Sequence, residues 1–154
     1  MQSLPLRLLV VEDDVTVARA LSRTLARRGF SVAIARSCTA ARSLTQPFDF
    51  AVLDLDLPDG NGVDLAETLL ESGRVPNVLF FTGTSNMALL ARARRLGGVV
   101  MKSSGTSEVL AFLTHDLEHA APESRTAPSP RARGFRASSG TVSTGSLASK
   151  SRAR

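Results

Sequence analysis

Ala51-Val52-Leu53-Asp54-Leu55-Asp56-Leu57-Pro58-Asp59-Gly60-Asn61-Gly62 passes from apolar residues through a carboxylate into turn chemistry. Ala51, Val52 and Leu53 carry no polar side chain, so they predict a strand buried on both faces, the pattern of a parallel sheet flanked by helices. Pro58, Asp59, Gly60, Asn61 and Gly62 supply loop chemistry: proline fixes φ, while glycine and asparagine accept the conformations that tight turns need. Asp54 therefore stands at the exit of a strand, where open parallel sheets keep their reactive groups.

Working outward, the same pattern recurs. Leu6 to Val11 predicts a first strand ending in Glu12, Asp13 and Asp14, with Asp14 suited to cap a helix in which Val17, Leu21 and Leu25 share a face. Gly29 ends that helix. Ser31 to Ala35 predicts the second strand, Thr39 to Leu44 a short helix, Phe50 to Leu53 the third strand and Val63 to Leu70 a helix stopped by Gly73. Asn77 to Thr82, Asn86 to Leu96, Val99 to Met101 and Ser107 to Ala120 complete the alternation. The expected fold is α/β, a doubly wound (βα)₅ five-stranded parallel sheet of flavodoxin-like type.

The 154 residues, 43% hydrophobic, suffice for one domain with a real core. The net charge of +5 is unevenly placed: residues 122–154 hold seven basic residues and one acid, residues 1–121 twelve and thirteen. A domain over 1–121 is expected, followed by a disordered basic tail rich in Ser, Pro and Arg over 122–154, which cannot bury enough apolar area to offset ordering entropy. That tail holds no helix-turn-helix and no amphipathic stripe, so neither sequence-specific DNA binding nor membrane insertion is expected of it; a weak tether to an anionic partner, nucleic acid or membrane, is the alternative role. The single cysteine of residues 1–154, Cys38, reads as a small core residue in a reducing compartment. The run Leu8 to Val11 is too short for a membrane helix or signal peptide, which points to a cytoplasmic protein.

Collected by position, Glu12 and Asp13 follow the first strand, Asp54 the third, Thr82 the fourth and Lys102 the fifth, all on one edge of a parallel sheet. Crowded carboxylates repel unless a cation neutralises them, and a hard ion such as Mg²⁺ takes carboxylates, waters and phosphate oxygens. A carboxylate nucleophile beside Mg²⁺, with a hydroxyl and an ammonium for phosphoryl oxygens, is a set of parts for making an aspartyl phosphate. Lys102 is the one lysine among the twelve basic residues of 1–121. A compact ammonium on a flexible stem tracks a carboxylate and then a phosphoryl oxygen better than a planar guanidinium does.

Val10-Val11-Glu12-Asp13-Asp14, Val52-Leu53-Asp54-Leu55-Asp56-Leu57-Pro58 with Gly62 eight residues after Asp54, Phe81-Thr82-Gly83, and Lys102 together resemble the receiver domain of bacterial two-component response regulators over about residues 6–120. The resemblance implies that Asp54 is the phosphoacceptor, that Asp13 binds Mg²⁺ directly and Glu12 mostly through water, and that the Asp56 backbone carbonyl is a further ligand. It also implies that Thr82 and Lys102 hold the phosphoryl group, and that the donor is a histidine kinase or histidine phosphotransfer protein docking partly on the first helix. Such a domain is a phosphoacceptor rather than an enzyme with a separate substrate. Asp14 reads as a helix cap, and Asp59 and Asn61 as turn formers.

Three departures stand out. Ser103 follows Lys102 where the family usually has proline, the stretch from Gly97 to Lys102 is about two residues short, and Val99 replaces the usual Tyr or Phe. A rival reading, a phosphohydrolase of the haloacid-dehalogenase type, would use Asp54, Asp56, Thr82 and Lys102 in the same order. It also needs acids after the lysine's strand, where the chain offers Glu108, Asp116 and Glu118 on or beside a helix, while Glu12 and Asp13 lie upstream.

Overall fold

Alternate residues of each central strand face opposite ways, and in this chain both ways are apolar. In the computed structural model, which describes residues 4–119, strand β1 (Arg7–Val11) sends Leu8 and Val10 into one core and Leu9 and Val11 into another. Strand β3 (Phe50–Leu53) divides likewise, Phe50 and Val52 to the first core and Ala51 and Leu53 to the second. The sheet is a sandwich filling.

Helix α1 (Val15–Ala26) covers the first face with Leu21 and Leu25, joined by Val109 and Leu113 of α5 (Thr106–His119). The second face takes α2 (Cys38–Ser43), α3 (Gly62–Glu71) and α4 (Met87–Leu96), through Cys38, Ala41, Val63, Leu65, Ala66, Leu90 and Ala93. With β2 (Ser31–Ala35), β6 (Val78–Thr82) and β7 (Gly98–Met101), the sheet runs β2-β1-β3-β6-β7, every pair parallel. The chain moves one way from β1 to β2 and the other way for β3, so the winding reverses between β1 and β3, and the crevice opens beyond their carboxyl ends.

Two elements were not expected. Residues read as plain loop form a small antiparallel hairpin, β4 (Asp56–Leu57) with β5 (Gly60–Asn61), and Lys102–Ser104 make one 3₁₀ turn. The shortness of the stretch after Gly97 is also explained: α4 hands over to β7 through Gly97 alone. A Cβ there would stand 2.1 Å from the Val78 carbonyl oxygen, and one on Gly98 2.1 Å from the Phe112 ring. Two side-chain-free residues let the connection be cut to one. No peptide bond among the described residues is cis.

Helix α2 has six residues, too few to persist unaided, and neighbours tie it at both ends. Asp59, expected only to form a turn, accepts hydrogen bonds from the Cys38 and Thr39 N–H groups at 2.8 Å each and from the Thr39 hydroxyl at 2.7 Å. At the other end the Arg74 guanidinium donates to the carbonyls of Arg42 (2.9 Å) and Leu44 (2.7 Å). Cys38 is buried. The expected tail over 122–154 lies outside the described residues.

Candidate functional site

Three successive acids after β1 have three different environments. The Glu12 N–H continues the strand ladder by donating to the Ala35 carbonyl (3.0 Å), which leaves its side chain only 3% exposed. Asp13 is exposed at the rim. Asp14 caps α1, accepting from the N–H groups of Thr16 (2.9 Å) and Val17 (3.1 Å). Asp54 is the residue after β3; its N–H donates to the Val11 carbonyl (2.9 Å) and its side chain is 5% exposed. Because β1 and β3 are neighbours, one carboxylate oxygen from each of Glu12, Asp13 and Asp54 lies within 4.8 Å of the others.

Lys102 reaches this cluster from the far edge of the sheet. From β7 to β3 is two strand spacings, roughly 10 Å, a span that demands a long side chain, and its stem passes Gly83 on the way, where a Cβ would come within 3.8 Å of Lys102 Cδ. Its Nζ donates at 2.8 Å to Asp54 Oδ2 and lies 2.8 Å from Glu12 Oε2. The second contact could not be read from the sequence. Burial pushes the Glu12 carboxyl up to about 7, with the Lys102 hydrogen bond opposing. Burial also works against the Lys102 ammonium, but the hydrogen bonds to Asp54 and Glu12 prevail and hold it above its ordinary value.

The backbone around Asp54 is tightly fixed. Gly62 N–H donates to the Leu55 carbonyl (3.0 Å), and a Cβ on Gly62 would stand 2.0 Å from the Asp54 carbonyl oxygen. Asp56 opens β4, and its N–H approaches Asp54 Oδ1 at 3.3 Å. Asn61 caps α3.

Thr82, the last residue of β6, is on the same edge but makes no hydrogen bond to the acids. Its buried hydroxyl accepts from the Thr84 N–H (3.2 Å). The Thr84 hydroxyl accepts from the Asn86 N–H (3.3 Å), and the Asn86 side chain caps α4 by accepting from the Leu89 N–H (3.0 Å). A relay of hydrogen bonds thus runs from the pocket to the start of α4, and Thr84, buried like Thr82, had no signal in the sequence beyond its hydroxyl.

All ligands in the acid cluster are hard oxygen donors, with charge in excess of the single ammonium, and this suits a hard divalent cation. Glu108, Asp116 and Glu118 belong to α5 and not to the cluster, which removes the metal ligands that the dehalogenase reading requires.

The response regulator receiver domain family matches residues 8–114. The chain belongs to that family. Acid tolerance regulatory protein ActR of Rhizobium meliloti is 36% identical over 110 residues, 69% of this chain and 57% of that protein; this receiver spans less than two thirds of that relative's length. The non-phosphorylated HemR receiver domain of Leptospira biflexa superposes with a TM-score of 0.68 at 34% identity, covering 77% of this chain and 98% of that one. A response regulator of Burkholderia pseudomallei solved with a phosphorylated aspartic acid, a calcium ion and citrate superposes with a TM-score of 0.63 at 28% identity, covering 73% and 68%. The receiver is a regulatory phosphoacceptor domain of the two-component type, and such domains are phosphorylated by histidine kinases. No helix among the described residues is long and apolar enough to cross a membrane.

Proposed function

We propose that this receiver takes a phosphoryl group on Asp54 from a phosphohistidine of a histidine kinase or histidine phosphotransfer protein, in the cytoplasm. It signals by protein contact and turns over no separate substrate. Residues 1–121 form the working domain and 122–154 a separate basic tail. The observation that supports this best is the buried Asp54 carboxylate at the reversal of the sheet, with Lys102 Nζ 2.8 Å away and Glu12 and Asp13 beside it.

A carboxylate oxygen of Asp54 attacks phosphorus, the P–N bond breaks, and its electron pair returns to the donor imidazole. The carboxylates of Asp13 and Asp54, the Asp56 backbone carbonyl and, mostly through water, Glu12 would hold Mg²⁺, which would supply the positive charge that neutralises the cluster and the phosphoryl oxygens. Lys102 moves its ammonium from the Asp54 carboxylate to a phosphoryl oxygen, a short shift for a flexible stem. The Thr82 hydroxyl turns from the Thr84 N–H to donate to another.

Acetyl phosphate with mass readout, and beryllofluoride binding, test the proposal. Modification is expected at Asp54 in the presence of Mg²⁺. Equal labelling of Asp54→Ala, or labelling undiminished by chelator, would overturn it.

A further inference from the structure

The full 154-residue chain contains two histidines, and both stand on α5, one turn apart. The rings of His115 and His119 are nearly parallel, 18° between planes, with centroids 4.1 Å apart. Both residues are exposed, and neither forms an ion pair among the described residues. Nothing in the phosphoryl chemistry uses them: His115 lies nine residues beyond the start of α5, roughly 14 Å along the axis at 1.5 Å per residue.

The hydrogen bonding of His119 fixes its tautomer. Its Nδ1 is 2.8 Å from the His115 backbone carbonyl, and a carbonyl oxygen only accepts, so Nδ1 bears the proton. In the neutral ring the lone pair is then on Nε2. This is how metal-binding imidazoles are commonly oriented, with the other ring nitrogen donating to a carbonyl or carboxylate.

We propose that His115 and His119 form a two-imidazole site for a borderline divalent cation of the Zn²⁺ type, with water completing the coordination. A tetrahedral Zn²⁺ at ~2.0–2.1 Å from each nitrogen needs the two nitrogens roughly 3.3 Å apart. The rings stand near-parallel with centroids 4.1 Å apart, so their in-plane lone pairs converge on one ion only when the side chains rotate out of the stack, a change confined to two exposed residues. Imidazole nitrogen suits Zn²⁺, Ni²⁺ and Cu²⁺, whereas Mg²⁺ keeps to the oxygen cluster at the sheet edge. The position adds to the attraction, because a cation in the last turn of a helix meets the negative end of its dipole. Bound metal would bridge that turn and hold the end of α5 against fraying.

The test is a ZnCl₂ titration of the full chain, stripped with chelator, returned to buffer and saturated with Mg²⁺ to fill the acid cluster, followed by imidazole ¹⁵N and backbone amide NMR. One ion per chain is expected, with both imidazoles shifting together and the amides of residues 115–119 exchanging more slowly. His115→Gln and His119→Gln should each weaken binding by roughly tenfold or more, and acidification should weaken it in the parent, because the neutral ring is the ligand. Both variants lie outside the phosphoryl site and should bind beryllofluoride as the parent does. Unmoved imidazole resonances, or equal Zn²⁺ affinity in parent and variants, would overturn the proposal, as would one ion shared by two chains with dimer formation.

Discussion

Replacing Lys102 by methionine keeps the apolar stem across Gly83 and deletes the one ammonium that meets Glu12 and Asp54. Those side chains are 3% and 5% exposed, so in the absence of a metal two buried carboxylates are left facing each other. Removing one partner of a buried pair costs about 3–5 kcal/mol; the Lys102 side chain is 26% exposed, and with solvent at the pocket mouth a loss of roughly 1–3 kcal/mol is expected near pH 8. The cost should shrink near pH 5, because Glu12, raised to about 7 in the intact protein, takes a proton and the repulsion disappears. The parent shows the same logic. Between the unfolded value of 4.5 and about 7 the folded state holds a proton that the unfolded state has released, so the Glu12 contribution falls as pH rises, by on the order of 3 kcal/mol at most. Urea unfolding in chelator at the two pH values, for the parent, Lys102→Met and Glu12→Gln, measures this. A Lys102→Met loss that is equal at both, or larger in acid, would refute the reasoning, and so would a Glu12→Gln slope as steep as the parent's.

Gly62→Ala should cost about 1–3 kcal/mol or more and impair beryllofluoride binding, because its Cβ would overlap the Asp54 carbonyl oxygen; a neutral result in chemical denaturation would contradict the close approach. Asp59→Ala should speed hydrogen exchange at Cys38 and Thr39 and lower the melting temperature. The Thr39 hydroxyl, with the Thr39 and Cys38 N–H groups, holds the Asp59 carboxyl well below the usual range. Its contribution to stability is therefore present above the ordinary carboxylate value and lost as pH falls through the lower folded one, and unchanged exchange would show that α2 does not need this cap. Thr84→Val should confine beryllofluoride-induced amide shifts to the pocket, whereas in the parent they extend through residues 83–88 into α4; shifts centred instead on Val99 to Met101 and α5 would show that the relay is not the route.

The fold was legible because the sheet is buried on both faces: the apolar runs at Leu8–Val11 and Ala51–Leu53 admit little else once turn residues bound them. The edge positions of Glu12, Asp13, Asp54, Thr82 and Lys102 followed from strand order alone. What escaped was set by tertiary approach. Asp59 looks like any turn aspartate until the loop brings it to Cys38 of α2, twenty-one residues back along the chain. The β4–β5 hairpin has too few residues for periodicity to register. The shortened stretch at Gly97 was visible, but its cause, close contact with Val78 and Phe112, was not. Lys102's bridge to Glu12 depends on side-chain reach across three strands, which spacing along the chain does not encode.

The relay from Thr82 through Thr84 and Asn86 to Leu89 is built entirely from backbone N–H donors and hydroxyl or amide acceptors. None of these groups titrates between about pH 3 and 10. The pocket, by contrast, holds Glu12, raised to about 7. Acidity therefore separates the pocket from its relay: protonation of Glu12 changes the charge of the acid cluster, while the hydrogen bonds that lead from Thr82 to α4 keep their donors and acceptors.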